Sequence, residues 1–149
     1  MQAGRRILIK GGAALALLAA LPKALLAAAW PKKAFLSTDG RQALTALLGS
    51  DQTIPSDQIT LKVPEIAENG AAMPVTIGTT LENVESISIV VEKNPRPLVA
   101  TFDLMSRALP EVSNRIKMAE TSRVLAVVRT DTGIYSTSKD VKVTIGGCA

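Results

Sequence analysis

The chain ends Ile145-Gly146-Gly147-Cys148-Ala149, and Cys148 is the only cysteine among its 149 residues. Glycine lacks a Cβ and reaches backbone conformations closed to other residues. A Gly146-Gly147 pair therefore makes a bendable arm, and the three steps from Ile145 to Cys148 span ~10 Å at full extension. The arm is also slim enough to pass into a narrow channel of another protein. A thiol at the tip of such an arm suits a carrier that holds a substrate covalently and presents it to successive enzymes. The same spacing fits two plainer readings. A terminus is usually frayed, which would make the thiol incidental, and a single cysteine in an exported protein can pair with a second chain.

The chemistry open to Cys148 is narrow. The thiolate is the nucleophile, and an ordinary cysteine has a pKa of about 8.5. No cation adjoins Cys148, and the terminal carboxylate of Ala149 disfavours the thiolate. The chain contains no histidine, so a Cys–His catalytic pair is excluded. Activation of the thiol must come from a partner or from oxidation of the substrate. The expectation is a carrier acted on by other proteins, not an enzyme.

No other residues compete. With one cysteine and no histidine there is little to ligate zinc or haem, so neither a metal nor a resident cofactor is expected. There is no Gly-rich phosphate loop. Glu65 with Glu68, and Glu82 with Glu85, are spaced acids that read as solvated loop charges. Arg96, Arg107, Arg115 and Lys117 could attract an anion, but surface charge is ordinary.

The N-terminus has the layout of a secretory signal over residues 1–29: Arg5, Arg6 and Lys10, an apolar run from Gly11 to Leu21, then Ala27-Ala28-Ala29. The apolar stretch is interrupted at Pro22-Lys23 and falls short of the ~20 residues that cross a bilayer, so the mature form is expected to lie free of the membrane. Gly4-Arg5-Arg6-Ile7-Leu8-Ile9-Lys10 resembles a twin-arginine signal, with Gly4 in place of the usual Ser or Thr and Leu8 where Phe is common. That route carries folded proteins to the periplasm. The net charge of +4 also resides here, in Arg5, Arg6, Lys10 and Lys23; residues 30–149 hold 13 cations against 13 acids. With no basic patch interleaved with aromatics, nucleic-acid binding has no support.

Residues 30–145 are expected to form one domain and 146–149 the arm. Trp30 to Ser37 reads as a lead-in. Ser37, Thr38 or Asp39 can cap a short helix with Ala43, Leu44, Leu47 and Leu48 on one face and Gly49 as its stop. β patterning comes next. Ile59, Leu61 and Val63 alternate with polar residues, as do Val75 and Ile77, then Ile87 and Ile89 before Val90-Val91. Glu68-Asn69-Gly70 and Asn94-Pro95-Arg96-Pro97 break the chain. Leu98–Leu104 and Val124–Val128 read as strands, Asp131-Thr132-Gly133 turns into Ile134-Tyr135, and Val141, Val143 and Ile145 alternate in a last strand. Arg107 to Thr121 is ambiguous. About seven short strands predict an all-β, immunoglobulin-like antiparallel sandwich behind a short N-terminal helix. Aliphatic side chains must fill its core.

The tail resembles that of the SoxY family, sulfur carriers of bacterial thiosulfate oxidation. So do Ile66-Ala67-Glu68-Asn69-Gly70 with Met73-Pro74-Val75, Glu92-Lys93-Asn94-Pro95 with Pro97-Leu98-Val99-Ala100, Leu109-Pro110-Glu111-Val112-Ser113, Arg115-Ile116, and Met118-Ala119-Glu120-Thr121-Ser122. The resemblance implies that Cys148 is the covalent attachment point and that Gly146, Gly147 and Ala149 belong to a swinging arm. It implies a heterodimer with a SoxZ-like β subunit. It further implies service to a haem enzyme, SoxAX, that conjugates thiosulfate, to a hydrolase, SoxB, that releases sulfate, and, in some organisms, to a sulfane dehydrogenase, SoxCD. The family's tail typically reads Gly-Gly-Cys-Gly-Gly. Here Ala149 replaces the first trailing glycine and the second is missing, which brings the carboxylate nearer the sulfur.

Overall fold

The structure, a computed structural model, describes residues 30–145, and Pro31 onward forms one compact unit. Two short helices come first. α1 (Lys32–Leu36) is a single turn, and α2 (Gly40–Leu48) follows it directly. Asp39 caps α2, accepting the Gln42 N–H on its side chain at 2.9 Å, and Gly49 ends it in the left-handed region at φ 82°, where glycine carries no Cβ penalty. The lead-in at Trp30–Ser37 thus contains a helix the sequence did not reveal. One turn is too short to display a 3.6-residue period.

The rest is β. The strands are β1 (Ile54–Pro55), β2 (Ile59–Lys62), β3 (Ile66–Ala67), β4 (Met73–Thr79), β5 (Val84–Val91), β6 (Leu98–Asp103), β7 (Glu111–Ile116), β8 (Ser122–Thr130) and β9 (Ile134–Val143). The large sheet runs β1-β9-β8-β5-β6, with β3 also paired to β9; the small sheet runs β2-β4-β7. The inward residues of the two sheets share one core. Ile59, Leu61, Val75, Ile77 and Ile116 come from the small sheet, and Ile87, Ile89, Val91, Val124, Ala126, Val128 and Val141 from the large one. This is the expected sandwich, filled by aliphatics that each contribute ~1.5–3 kcal/mol on full burial. A second cluster joins Ala34, Ala43 and Leu44 of the helices to Val90, Leu98 and Val127. The helices therefore cover the outer face of the large sheet, which explains why β5 is buried on both faces from Ile87 to Val91.

Three details differ from the sequence reading. β1 and β3 each pair with β9 in parallel, so the sandwich is not purely antiparallel. Ile134-Tyr135 and Val141-Val143 are two ends of one ten-residue strand. Its middle, Ser136 to Asp140, is polar and hides the continuity, yet it pairs with β8 without a break from Ile134↔Arg129 to Val141↔Ser122. Ile145 is not a strand residue: the ladder ends at Val143, and Ile145 is 67% exposed. The ambiguous segment holds β7, an edge strand that shows little alternation because only Val112 and Ile116 turn toward the core.

Candidate functional site

Gly146, Gly147, Cys148 and Ala149 lie outside the described residues, as does the export signal expected over 1–29. What the structure describes is the chain up to Ile145, the base of the arm, and that base is held by hydrogen bonds from two sides.

On one side β3 runs alongside the end of β9, pairing Ile66 with Lys142 and Ala67 with Val143. The Lys142 N–H donates to the Glu65 carbonyl at 2.9 Å, and the Thr144 N–H to the Ala67 carbonyl at 3.1 Å. The Thr144 hydroxyl donates to the Glu68 carbonyl at 3.2 Å. Gly70 closes this side, its N–H donating to the Ile145 carbonyl at 2.8 Å. Asn69 sets up that turn by accepting the Ala71 N–H on its side chain at 2.8 Å. On the other side, Thr121 accepts the Val143 N–H on its hydroxyl at 3.0 Å. The Ile145 carbonyl is thus tied down immediately before Gly146.

The support extends one layer further. The Gly70 carbonyl accepts the Met118 N–H at 2.7 Å. Asn94 grips the same segment from the far side: its amide donates to the Lys117 carbonyl at 2.8 Å and accepts the Ala119 N–H at 2.9 Å. Ser122 accepts the Lys93 N–H on its hydroxyl at 3.0 Å. Asn94→Ala removes both side-chain bonds and leaves two backbone groups without them. Net losses of this kind run ~1–3 kcal/mol. Urea denaturation should show that loss of stability with an unchanged m-value.

The charged residues considered from sequence do not gather into a second site. Glu85 pairs with Arg129 at 2.9 Å, both half exposed. Arg96 donates to the Leu36 carbonyl and so ties the β5–β6 loop to the end of α1. Glu65, Glu68, Glu82, Arg107, Arg115 and Lys117 are exposed side chains on different loops and strands. Among the described residues no group of three or more His, Cys, Asp or Glu could hold a metal ion. No described helix is long and apolar enough to cross a membrane.

Comparison with known proteins decides the family. The model described as "Sulfur oxidation protein SoxY" matches residues 44–148, which is most of the chain and includes Cys148. The chain belongs to the SoxY family. The solved structure of the sulfur carrier protein SoxY from Chlorobium limicola f thiosulfatophilum is 44% identical in sequence. That match covers 69% of this chain and 94% of that one, with a TM-score of 0.62. No curated protein matches the chain.

Three of the segments that carried the SoxY resemblance adjoin one another. Ile66–Gly70 and Met118–Ser122 are distant in sequence, yet both bond to the end of β9, and Glu92–Asn94 supports Lys117–Ser122 from the far side. Gly70, Asn94 and Thr121 were not singled out as site residues from the sequence. The signal that could have found them was the clustering of SoxY-like motifs around turn residues. Gly70 acts through its main-chain groups, which leave no side-chain signature, whereas Asn94 and Thr121 act through side chains common in any turn.

Proposed function

We propose that this protein is a periplasmic sulfur carrier of a thiosulfate-oxidising system, holding sulfur intermediates covalently on Cys148. Membership of the SoxY family carries the reading, with the match running through Gly146-Gly147-Cys148. The sulfur carrier from Chlorobium limicola f thiosulfatophilum supports it. The base of the arm, fixed as far as the Ile145 carbonyl, is what a carrier needs: a rigid pivot, then glycines.

In this reading the chain performs no catalysis alone. It works as a heterodimer with a SoxZ-like β subunit, and it is exported folded by the twin-arginine route. A haem enzyme of the SoxAX type joins the Cys148 sulfur to the outer sulfur of thiosulfate. One S–S bond forms, the thiol proton is released, and the haem enzyme takes the electron pair. A SoxB-type hydrolase then adds water across the terminal sulfur–sulfonate bond and releases sulfate, leaving a persulfide on Cys148. A SoxCD-type dehydrogenase oxidises that remaining sulfane sulfur where it is present. Metals and haems belong to these partners; the carrier contributes a thiol, an arm and a docking body. The alternative, an exported interaction module with an incidental or disulfide-forming cysteine, has no observation of its own behind it.

Radiolabelled thiosulfate separates the two. With the partner enzymes present, label carried on the outer sulfur should migrate with this chain on a non-reducing gel and be released by a thiol reductant. Label that stays wholly in solution while thiosulfate is consumed would defeat the carrier reading.

A further inference from the structure

Two large apolar side chains stand exposed beside the base of the arm. Ile66 is 56% exposed, and Ile145 is 67% exposed. β-Pairing puts Ile66 opposite Lys142, one step from the last paired residue of β9, and the Gly70 N–H holds the Ile145 carbonyl at 2.8 Å. Ala71 and Ala72, also exposed, come directly after Gly70. The surrounding charges are mixed. Glu65, Glu68 and Glu120 lie exposed with Lys117 and Lys142, so no single sign of charge selects a partner here. The apolar side chains are the distinguishing feature.

The length of chain beyond Ile145 supplies the second observation. Two glycines separate Ile145 from Cys148, and the three steps reach ~10 Å at most. An enzyme that takes the thiol into a channel uses that whole length inside the channel. Its rim must then come down onto the residues around the pivot.

Resting on the carrier reading above, we infer that Ile66 and Ile145, with Ala71 and Ala72 beside them, form the surface on which the rim of each enzyme acting on the Cys148 adduct seats. The occupant is an enzyme surface that is apolar around the mouth of the channel admitting the arm. One patch then serves successive enzymes in turn, because the same short tether constrains all of them. Brief contact through a small apolar patch also lets each enzyme leave for the next.

Ile66→Glu tests this. Ile66 is on the short strand β3 and outside the core, and a change there leaves the arm itself intact, which a change at Ile145 would not. Ile54→Glu is the control. Ile54 is similarly exposed, at 54%, but pairs with Tyr135 at the opposite end of β9. Seven strand positions separate the two sites along β9, roughly 23 Å. With the partner subunit bound, both variants should alkylate at Cys148 with iodoacetamide at the parent rate. In reconstituted thiosulfate oxidation, Ile66→Glu should raise the KM for the carrier about tenfold or more with kcat retained, and Ile54→Glu should match the parent. A parental KM for Ile66→Glu overturns the inference. So does loss of the heterodimer by Ile66→Glu in sedimentation, which would assign the patch to the second subunit. Cys148→Ser in the same assay keeps the two ideas apart. Turnover by that variant defeats the carrier reading itself, whereas an inactive Cys148→Ser beside a parental Ile66→Glu defeats only the docking surface.

Discussion

Cys148→Ser should fold as the parent does and reduce thiosulfate oxidation by a reconstituted partner set to the level seen without carrier. The core explains the first half. Among the described residues, the core clusters draw on the helices, on β2 to β9 and on loop residues such as Met118, with Val141 and Val143 their last members, and the exchange of one sulfur for oxygen leaves all of these in place. Among the described residues the hydrogen bonds at the base reach as far as Ile145, three residues before the substitution. The chemistry explains the second half. A serine hydroxyl cannot form the sulfur–sulfur bond on which the proposed cycle depends, and the chain has no other cysteine to replace it. Loss should be complete because no parallel route exists. Matching far-UV circular dichroism and a matching thermal midpoint would show that the fold is intact. Retained turnover would remove Cys148 from the mechanism.

Replacing Gly146 and Gly147 together by proline should lower kcat/KM with the partner enzymes by about a hundredfold. Proline locks φ and removes the N–H, and consecutive prolines favour an extended, semi-rigid segment of ~3.1 Å per residue. Reach is then nearly conserved and bending is lost. Misplacing a reacting group by about 1 Å can cost 10²-fold, and a stiff arm leaving a fixed pivot has few ways to correct its aim. The pivot matters to this expectation: were Val143–Ile145 loosely held, the strand end could bend in place of the glycines. Their hydrogen bonds to Thr121, Ala67, Glu68 and Gly70 prevent that. Alkylation of the thiol by a small reagent should proceed at the parent rate, since a small molecule reaches the sulfur from any direction. A Pro-Pro variant with normal turnover would mean that flexibility of the arm is not used.

Much of the sandwich was legible from residue order. β2, β4 and β5 alternate apolar and polar residues against a shared core, and Asp39 and Gly49 mark the ends of α2 by their side-chain and backbone preferences. β8 is a continuous apolar run because the helices cover its outer face at Val127. The polar centre of β9 was not legible: Ser136 and Ser138 lie opposite Val127 and Leu125 of β8 and carry none of the alternation that marks a strand. β7 escaped for a similar reason, being an edge strand with two inward residues. β1 and β3 are two residues each and pair with a strand far along the chain, information that no local window holds. The candidate site divides in the same way. Cys148 and its glycines announce themselves by type and spacing. The base that aims them is made of peptide N–H and C=O groups from Glu65 to Gly70, which any residue types could have supplied. Asn94 and Thr121, whose side chains do take part, sit in turn-like stretches where such residues are common.

Intact mass spectrometry of the protein, taken from periplasm during active thiosulfate oxidation and followed by sequencing of the terminal peptide, tests the central claim most directly. A covalent carrier predicts reductant-sensitive additions of whole sulfur atoms or of a thiosulfonate, confined to Cys148 and absent after the substrate is exhausted. A bare thiol under the same turnover conditions, or a disulfide to a second protein as the only modification, would contradict it.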